Sequence, residues 1–193
     1  MATVIWFAML GVGLFLLSRY KYTPGRAADA PSQWLTGTVL ERDPERPTLV
    51  LFAHPYCPCT KASLEEYDAI VRGAKDAVRA YVVVADLEEA GDAREMLARV
   101  AKMHGVRVHL DAGGAEAARF HARTSGQTVL YDPRGELLFE GGVTSARGHV
   151  GDSVGKRRVT ELLRPGVRSA VGARGAEPFE TSVFGCALEG PPR

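Results

Sequence analysis

Net charge is nearly absent from this chain of 193 residues: 24 Lys and Arg against 23 Asp and Glu leave +1. That excludes a nucleic-acid binder working through bulk positive charge, and equally an acidic solvating tail. Cysteine is scarce. Three residues are too few for a disulfide-stapled scaffold, and one is left over after any pair forms. No repeat recurs at periods of about 20 to 50 residues, which excludes a solenoid. The phosphate-loop pattern G-x-x-x-x-G-K is missing, and no G-x-G-x-x-G follows a strand. A closed four-ligand zinc pattern is missing too. What is present is ordinary globular composition, 46% apolar and 24% charged, enough for one domain with little room for a second.

The longest uncharged run is Ala2 to Leu17, ATVIWFAMLGVGLFLL. As a helix rising about 1.5 Å per residue it spans roughly 24 Å, slightly short of a hydrocarbon core of about 30 Å. Ser18 lengthens it, and Tyr20 and Tyr22 suit the interface. It is apolar on every face, so residues 1–22 read as an uncleaved single-pass membrane anchor rather than a core helix. A cleavable signal is the alternative. Ala28-Asp29-Ala30 offers the A-x-A pattern, but Pro31 follows it, and Arg19 and Lys21 separate it from the apolar run. Arg19, Lys21 and Arg26 favour a cytoplasmic domain by the positive-inside rule, whereas the thiol chemistry below fits an extracytoplasmic one. Residues 23–47 hold four prolines and scattered charge. They read as a stretched linker, with Trp34 to Leu40 as a short edge strand.

Beyond the linker the pattern alternates. Thr48 to Ala53 and Ala80 to Ala85 are buried strands, and Val106 to Leu110 is a shorter one. Thr60 to Gly73 is a helix with Gly73 as its C-cap, and Asp92 to His104 is a helix that Asp92 can cap. Ala115 to Ala122 is a short helix. Thr128–Tyr131 and Glu136–Glu140 flank Asp132-Pro133-Arg134-Gly135 as a hairpin. Asp152 to Leu163 is the last helix, ended by Pro165-Gly166. The order β-α-β-α-β-α-β-β-α over residues 48–165 predicts an α/β fold, a central mixed sheet flanked by helices. Residues 166–193 are a tail rich in Gly, Arg and Pro.

The strongest local signal is His54-Pro55-Tyr56-Cys57-Pro58-Cys59-Thr60. Pro58 suits the first helical position, which makes Cys57 the N-cap and puts Cys59 in the first turn. A thiolate there accepts free backbone N–H groups and sees the positive helix end, so its pKa falls. Lys61 adds a nearby positive charge. Cys57 is the expected nucleophile and Cys59 the expected resolving thiol. A disulfide between i and i+2 closes a small strained ring, and strained disulfides give up their oxidation readily. The motif therefore suits an oxidant or isomerase better than a strong reductant.

Leu49 to Tyr67, LVLFAHPYCPCTKASLEEY, resembles the first strand, active-site turn and helix of the thioredoxin-like superfamily. Ala122 to Thr144 resembles that superfamily's later hairpin. With the apolar N-terminus, the C-P-C motif and the segment Arg147-Gly148-His149, the chain resembles the membrane-anchored RedB-like group. The resemblance implies a thioredoxin-like fold and thiol–disulfide exchange with a protein thiol or disulfide partner, without cofactor or nucleic acid. The pair ending in cis-proline that faces the cysteines in thioredoxins is absent, and Gly126-Gln127-Thr128 stands there. C-x-C also replaces C-x-x-C, so the family's redox potential does not carry over.

In such an arrangement the loop from Ser145 to Asp152 lies beside the cysteine turn. Arg147 can then lower a thiol pKa, and His149 can serve as base or ligand. His54 is a weaker candidate. His104, His109 and His121 lie on helical or apolar-periodic segments. Cys186 sits in a small apolar island, Ser182 to Leu188, which can dock on the domain or bring a third thiol to Cys57. Two alternatives to the oxidoreductase stand. One is a copper-handling protein of the same fold, with Cys57, Cys59 and His149 supplying soft thiolates and an imidazole. The other is a non-catalytic module that docks a membrane partner.

Overall fold

The structure is a computed structural model that describes residues 1–26, 29–86, 91–164 and 177–188, the side chains of 91–93 excepted. The helices are α1 (Ala2–Tyr22), α2 (Thr60–Ala74), α3 (Gly91–Val100), α4 (Ala115–Arg119) and α5 (Val154–Leu162). The strands are β1 (Thr48–Ala53), β2 (Arg79–Asp86), β3 (Val106–Ala112), β4 (Gln127–Tyr131), β5 (Leu137–Gly142) and β6 (Phe179–Glu180). They form one sheet in the order β3-β2-β1-β4-β5-β6. β1, β2 and β3 run parallel, as strands joined by helical crossovers must. β4 returns antiparallel to β1, and β5 pairs antiparallel with β4. The expected α/β order and mixed sheet are therefore observed.

β1 is central and buried at all six positions. Its alternating side chains feed two cores, as the two-residue period of a strand requires. Leu49, Leu51 and Ala53 join Leu64, Tyr67 and Ile70 of α2, Met96 and Val100 of α3, and Val159 and Leu162 of α5. The Tyr67 hydroxyl lies 2.8 Å from the carbonyls of both Leu49 and Tyr81, so the buried ring spans β1 and β2. Val50 and Phe52 face the other way, toward Ala117 of α4 and Phe120 just after it, with Tyr131 and Leu137. α5 lies close on β5 because Gly155 has no side chain; a Cβ there would stand 1.9 Å from the Gly142 carbonyl oxygen. None of α1 is buried, which fits its uniformly apolar sequence.

The segment expected to be a stretched linker is instead a packed layer. Ala30 and Leu40 are buried in the second core, and Trp34 packs edge-on to Phe120 and Tyr131, ring centroids 5.4 and 5.2 Å away. The backbone is tied to the hairpin: Trp34 N–H donates to Gly135 O (2.7 Å), and Leu137 N–H donates to Ser32 O (2.9 Å). Trp34 to Leu40 makes no strand; the contact is an isolated bridge between Gln33 and Glu136. Asp43 closes the segment. Burial pushes its carboxyl up, but the amides of Glu45 and Arg46 and the Arg46 side chain hold it well below the usual range. The physical reason for the packing is area: a helix of five residues, α4, leaves much of that sheet face open, and Trp34 and Leu40 cover it.

Smaller differences follow from local geometry. Gly73 lies inside α2, and Lys75 takes the left-handed capping conformation (φ 47°), its N–H donating to Arg72 O. α5 starts at Val154, two residues later than expected, because the Ser153 hydroxyl accepts from Lys156 N–H and fixes the N-cap there. The hairpin turn is as expected, with Gly135 N–H donating to Asp132 O at 3.0 Å. The Asp92 side chain, Ala28 and Pro165-Gly166 lie outside the described residues.

A packed layer and a loose connector respond differently to truncation of one side chain. Leu40→Ala is expected to lower the unfolding free energy by about 2–3 kcal/mol. Val39→Ala, at an exposed position, changes it by less than about 0.5 kcal/mol. Urea unfolding of the detergent-solubilised chain, followed by tryptophan fluorescence, measures both; equal, negligible effects would return the segment to a connector.

Candidate active site

β1 ends at Ala53, and the chain turns at once. The His54 carbonyl accepts from Cys57 N–H (3.1 Å) and from the Thr60 hydroxyl (3.2 Å). Thr60 N–H then donates to Cys57 O (3.0 Å), closing Cys57-Pro58-Cys59-Thr60 into a turn. Pro58 takes the second position of that turn, where its fixed φ fits, and α2 starts at Thr60 with Cys59 as N-cap. The sequence had suggested Cys57 as N-cap and Pro58 at the first helical position. The bond from Thr60 to Cys57 moves the N-cap two residues on, to Cys59, while the helix starts at Thr60 as its apolar spacing predicts. The chemical consequence survives in direction, since the Cys59 amide and the Thr60 side chain still act to lower the Cys57 pKa.

A second strand supports the turn from the side. Ser125 lies just before β4; its hydroxyl is 2.7 Å from that of Thr60 and accepts from His54 N–H at 2.9 Å. Gly126 N–H donates to Phe52 O (2.8 Å). Gly126 has φ of +91°, and a Cβ there would stand 2.7 Å from the Ser63 hydroxyl, so glycine is required for this approach. Sequence reasoning missed Ser125 and Thr60. Thr60 carried a signal by its place beside the motif, whereas a serine before a strand carries none.

Cys186 comes to the same place. The chain from Val183 to Leu188 lies across the cysteine turn and pairs with residues 123–125. Ser125 N–H donates to Cys186 O (2.8 Å), Leu188 N–H donates to Arg123 O (3.0 Å), and Thr124 and Ala187 form an antiparallel bridge. Cys186 N–H donates to the Cys57 sulfur at 3.4 Å. The apolar island is thus packed on residues 123–125, with Cys186 next to Cys57.

Burial alone pushes the Cys57 thiol up. Hydrogen bonds from the Cys186 thiol and amide, the Thr60 hydroxyl and the Cys59 amide outweigh that and hold it below its ordinary value. Cys59 is pushed up by burial, then by the charge of Cys57 and by donating to it; Arg147 opposes this only in part. Cys186 is pushed up to about 12, first by burial and then by donating to Cys57. Of the three thiols, Cys57 is thus the one whose ionisation the surroundings favour.

Arg147 is the cation that reaches the thiols. Its Nη1 donates to Gly185 O at 2.6 Å, and its guanidinium lies 5.0 Å from the Tyr20 ring centre. Lys61 is exposed and lines a groove beside Cys57 with Tyr56, Pro58 and Arg99. His149 is exposed on its loop. Among the described residues, no three His, Cys, Asp or Glu side chains gather as metal ligands, so His149 makes no such set with the cysteines. His54 is fully buried, and its Nδ1 accepts from Tyr56 N–H (3.2 Å).

No family model and no curated protein matches the chain. Solved structures do. An uncharacterized conserved protein of Geobacillus kaustophilus is 13% identical, with a TM-score of 0.57 over 89% of this chain and 94% of that one. A hypothetical protein of Sinorhizobium meliloti is 19% identical, with a TM-score of 0.54 over 86% and 94%. A secreted Mycobacterium tuberculosis disulfide oxidoreductase is 15% identical, with a TM-score of 0.44 over 62% and 81%. A central parallel strand, a cysteine turn opening a helix, an antiparallel hairpin and a closing helix, behind an apolar N-terminal helix, give this chain the element order of a thioredoxin-like fold.

Proposed function

We propose that the protein is a membrane-anchored thiol–disulfide oxidoreductase or isomerase with Cys57 as its nucleophile. One observation carries this reading: Cys57 lies buried between the end of a central strand and the start of a helix, with Cys59 two residues on and the Cys186 amide donating to its sulfur at 3.4 Å, and hydrogen bonding there favours its thiolate over those of Cys59 and Cys186. Such a gradient selects one sulfur for attack and leaves the others protonated until it has reacted. The Cys57 thiolate attacks a disulfide of a protein partner, and a mixed disulfide forms as the partner's second sulfur leaves. A neighbouring thiol, with Cys59 adjacent in the turn, then resolves it. A closed Cys57–Cys59 ring is small and strained, which favours donation of oxidation.

α1 is long and apolar enough to span a bilayer and serves as the anchor. The domain then works outside the cytoplasm, where disulfides persist. The copper reading lacks its imidazole, because His149 gathers with no ligand set among the described residues. The docking-module reading predicts that Cys57→Ser keeps function.

Removing a donor from the thiolate destabilises the charged form, so Thr60→Val raises the Cys57 pKa. The pH profile of Cys57 alkylation by iodoacetamide is expected to move to higher pH, with the rate at pH 7 falling by about threefold or more. An unmoved profile removes the basis for Cys57 as the activated thiol. With glutathione disulfide, wild type and Cys59→Ser are expected to form an adduct at Cys57, and Cys57→Ser none. If Cys57 stays unmodified in the wild type, the oxidoreductase reading fails.

A further inference from the structure

We propose that Cys186 is the thiol that resolves Cys57, and that residues 183–188 are a built-in stand-in for the polypeptide substrate. This rests on Cys57 being a redox nucleophile. Three observations carry it. The segment lies on 123–125 through an isolated antiparallel bridge and two flanking backbone hydrogen bonds, with the Cys186 amide on the Cys57 sulfur. It leaves Cys57 only 2% exposed. It is built to fit: a Cβ on Gly185 would stand 1.9 Å from the Ser125 carbonyl oxygen, Val183 and Leu188 are buried, and Arg147 and the Gly25 N–H each bond a tail carbonyl.

The competition between the two candidate resolving thiols is geometric. Cys59 is two residues from Cys57, and its ring is strained. Cys186 lies 129 residues away in sequence yet donates to the same sulfur, so its disulfide closes without a tight ring. A docked thiol also acts at a high effective concentration. The steps balance with a disulfide as oxidant. The Cys57 thiolate attacks one sulfur of R–S–S–R; the Cys57–SR bond forms, the S–S bond breaks, and RS⁻ leaves and takes a proton from water. Cys57 now carries no charge, so one of the causes that raised the Cys186 pKa is gone, while burial remains. Cys186 gives its proton to solvent and attacks the Cys57 sulfur. The Cys57–Cys186 bond forms, and the second RS⁻ leaves and is protonated. Two electrons have passed from the two cysteines to the partner.

An incoming polypeptide must lift this segment to reach Ser125 N–H. The fit also sets what can replace it. A residue bulkier than glycine before the partner's cysteine meets the Ser125 carbonyl, so the site prefers an extended Gly-Cys segment.

The full-length protein in detergent micelles, reduced and then treated with glutathione disulfide, tests this by mass mapping after thiol blocking. The linked Cys57–Cys186 peptide pair is expected to dominate in the wild type. The glutathione adduct at Cys57 should persist about tenfold longer in Cys186→Ser than in Cys59→Ser. Gly185→Val keeps all three cysteines; it should resolve as slowly as Cys186→Ser while Cys57 becomes more reactive to iodoacetamide. A wild type that closes only Cys57–Cys59, or a Gly185→Val that resolves at the wild-type rate, overturns the role of Cys186 and leaves Cys57 as nucleophile. Absence of any adduct at Cys57 overturns the oxidoreductase reading itself.

Discussion

The favoured ionisation of one thiol, Cys57, beside two others is the constraint on which this site depends. A thiolate shielded from water costs several kcal/mol unless hydrogen bonds meet it. Here the donors come from three separate parts of the chain: the turn itself, the start of α2, and a segment near the C-terminus. Each needs its own support. The His54 carbonyl holds the turn, Ser125 fixes His54 and Thr60 together, and glycines at 126 and 185 permit the close approaches. A charge on Cys57 raises the pKa of both Cys59 and Cys186, so ionisation of one thiol disfavours that of its neighbours.

Much of the frame was legible in the sequence because its signals are local. β1 has the bounds that its apolar run between two prolines suggests, and the hairpin follows from Asp132-Pro133-Arg134-Gly135. The cysteine turn was legible as chemistry but its N-cap was displaced by two residues, since one hydrogen bond, Thr60 to Cys57, decides where the N-cap falls. Residues 29–46 were misread for a different reason. Prolines and scattered charges look alike in a connector and in an irregular packed layer; only the partners Phe120 and Tyr131, far along the chain, tell them apart. The same holds for Cys186, which pairs with residues that no periodicity links to it.

The two faces of the sheet are built on different principles. One is covered by α2, α3 and α5, whose apolar stripes pack on alternate residues of β1 and β2. The other is covered by one short helix, an irregular stretch that precedes the domain and part of the segment that follows it. Leu188 belongs to that second core and Cys186 to the thiol cluster, two residues apart. Packing and chemistry are therefore coupled through a few residues of one strand-like segment.

The join between α1 and the domain has a consequence for processing. Arg147 N–H donates to the Lys21 carbonyl, and its guanidinium stacks on Tyr20, while the same side chain holds Gly185 and moderates the Cys59 and Cys186 thiols. A proteolytic cut after the apolar helix would therefore do more than release the domain from a bilayer. It would free one face of the arginine that holds the thiol segment, so the anchor supports the cysteine site as well as the attachment to a bilayer.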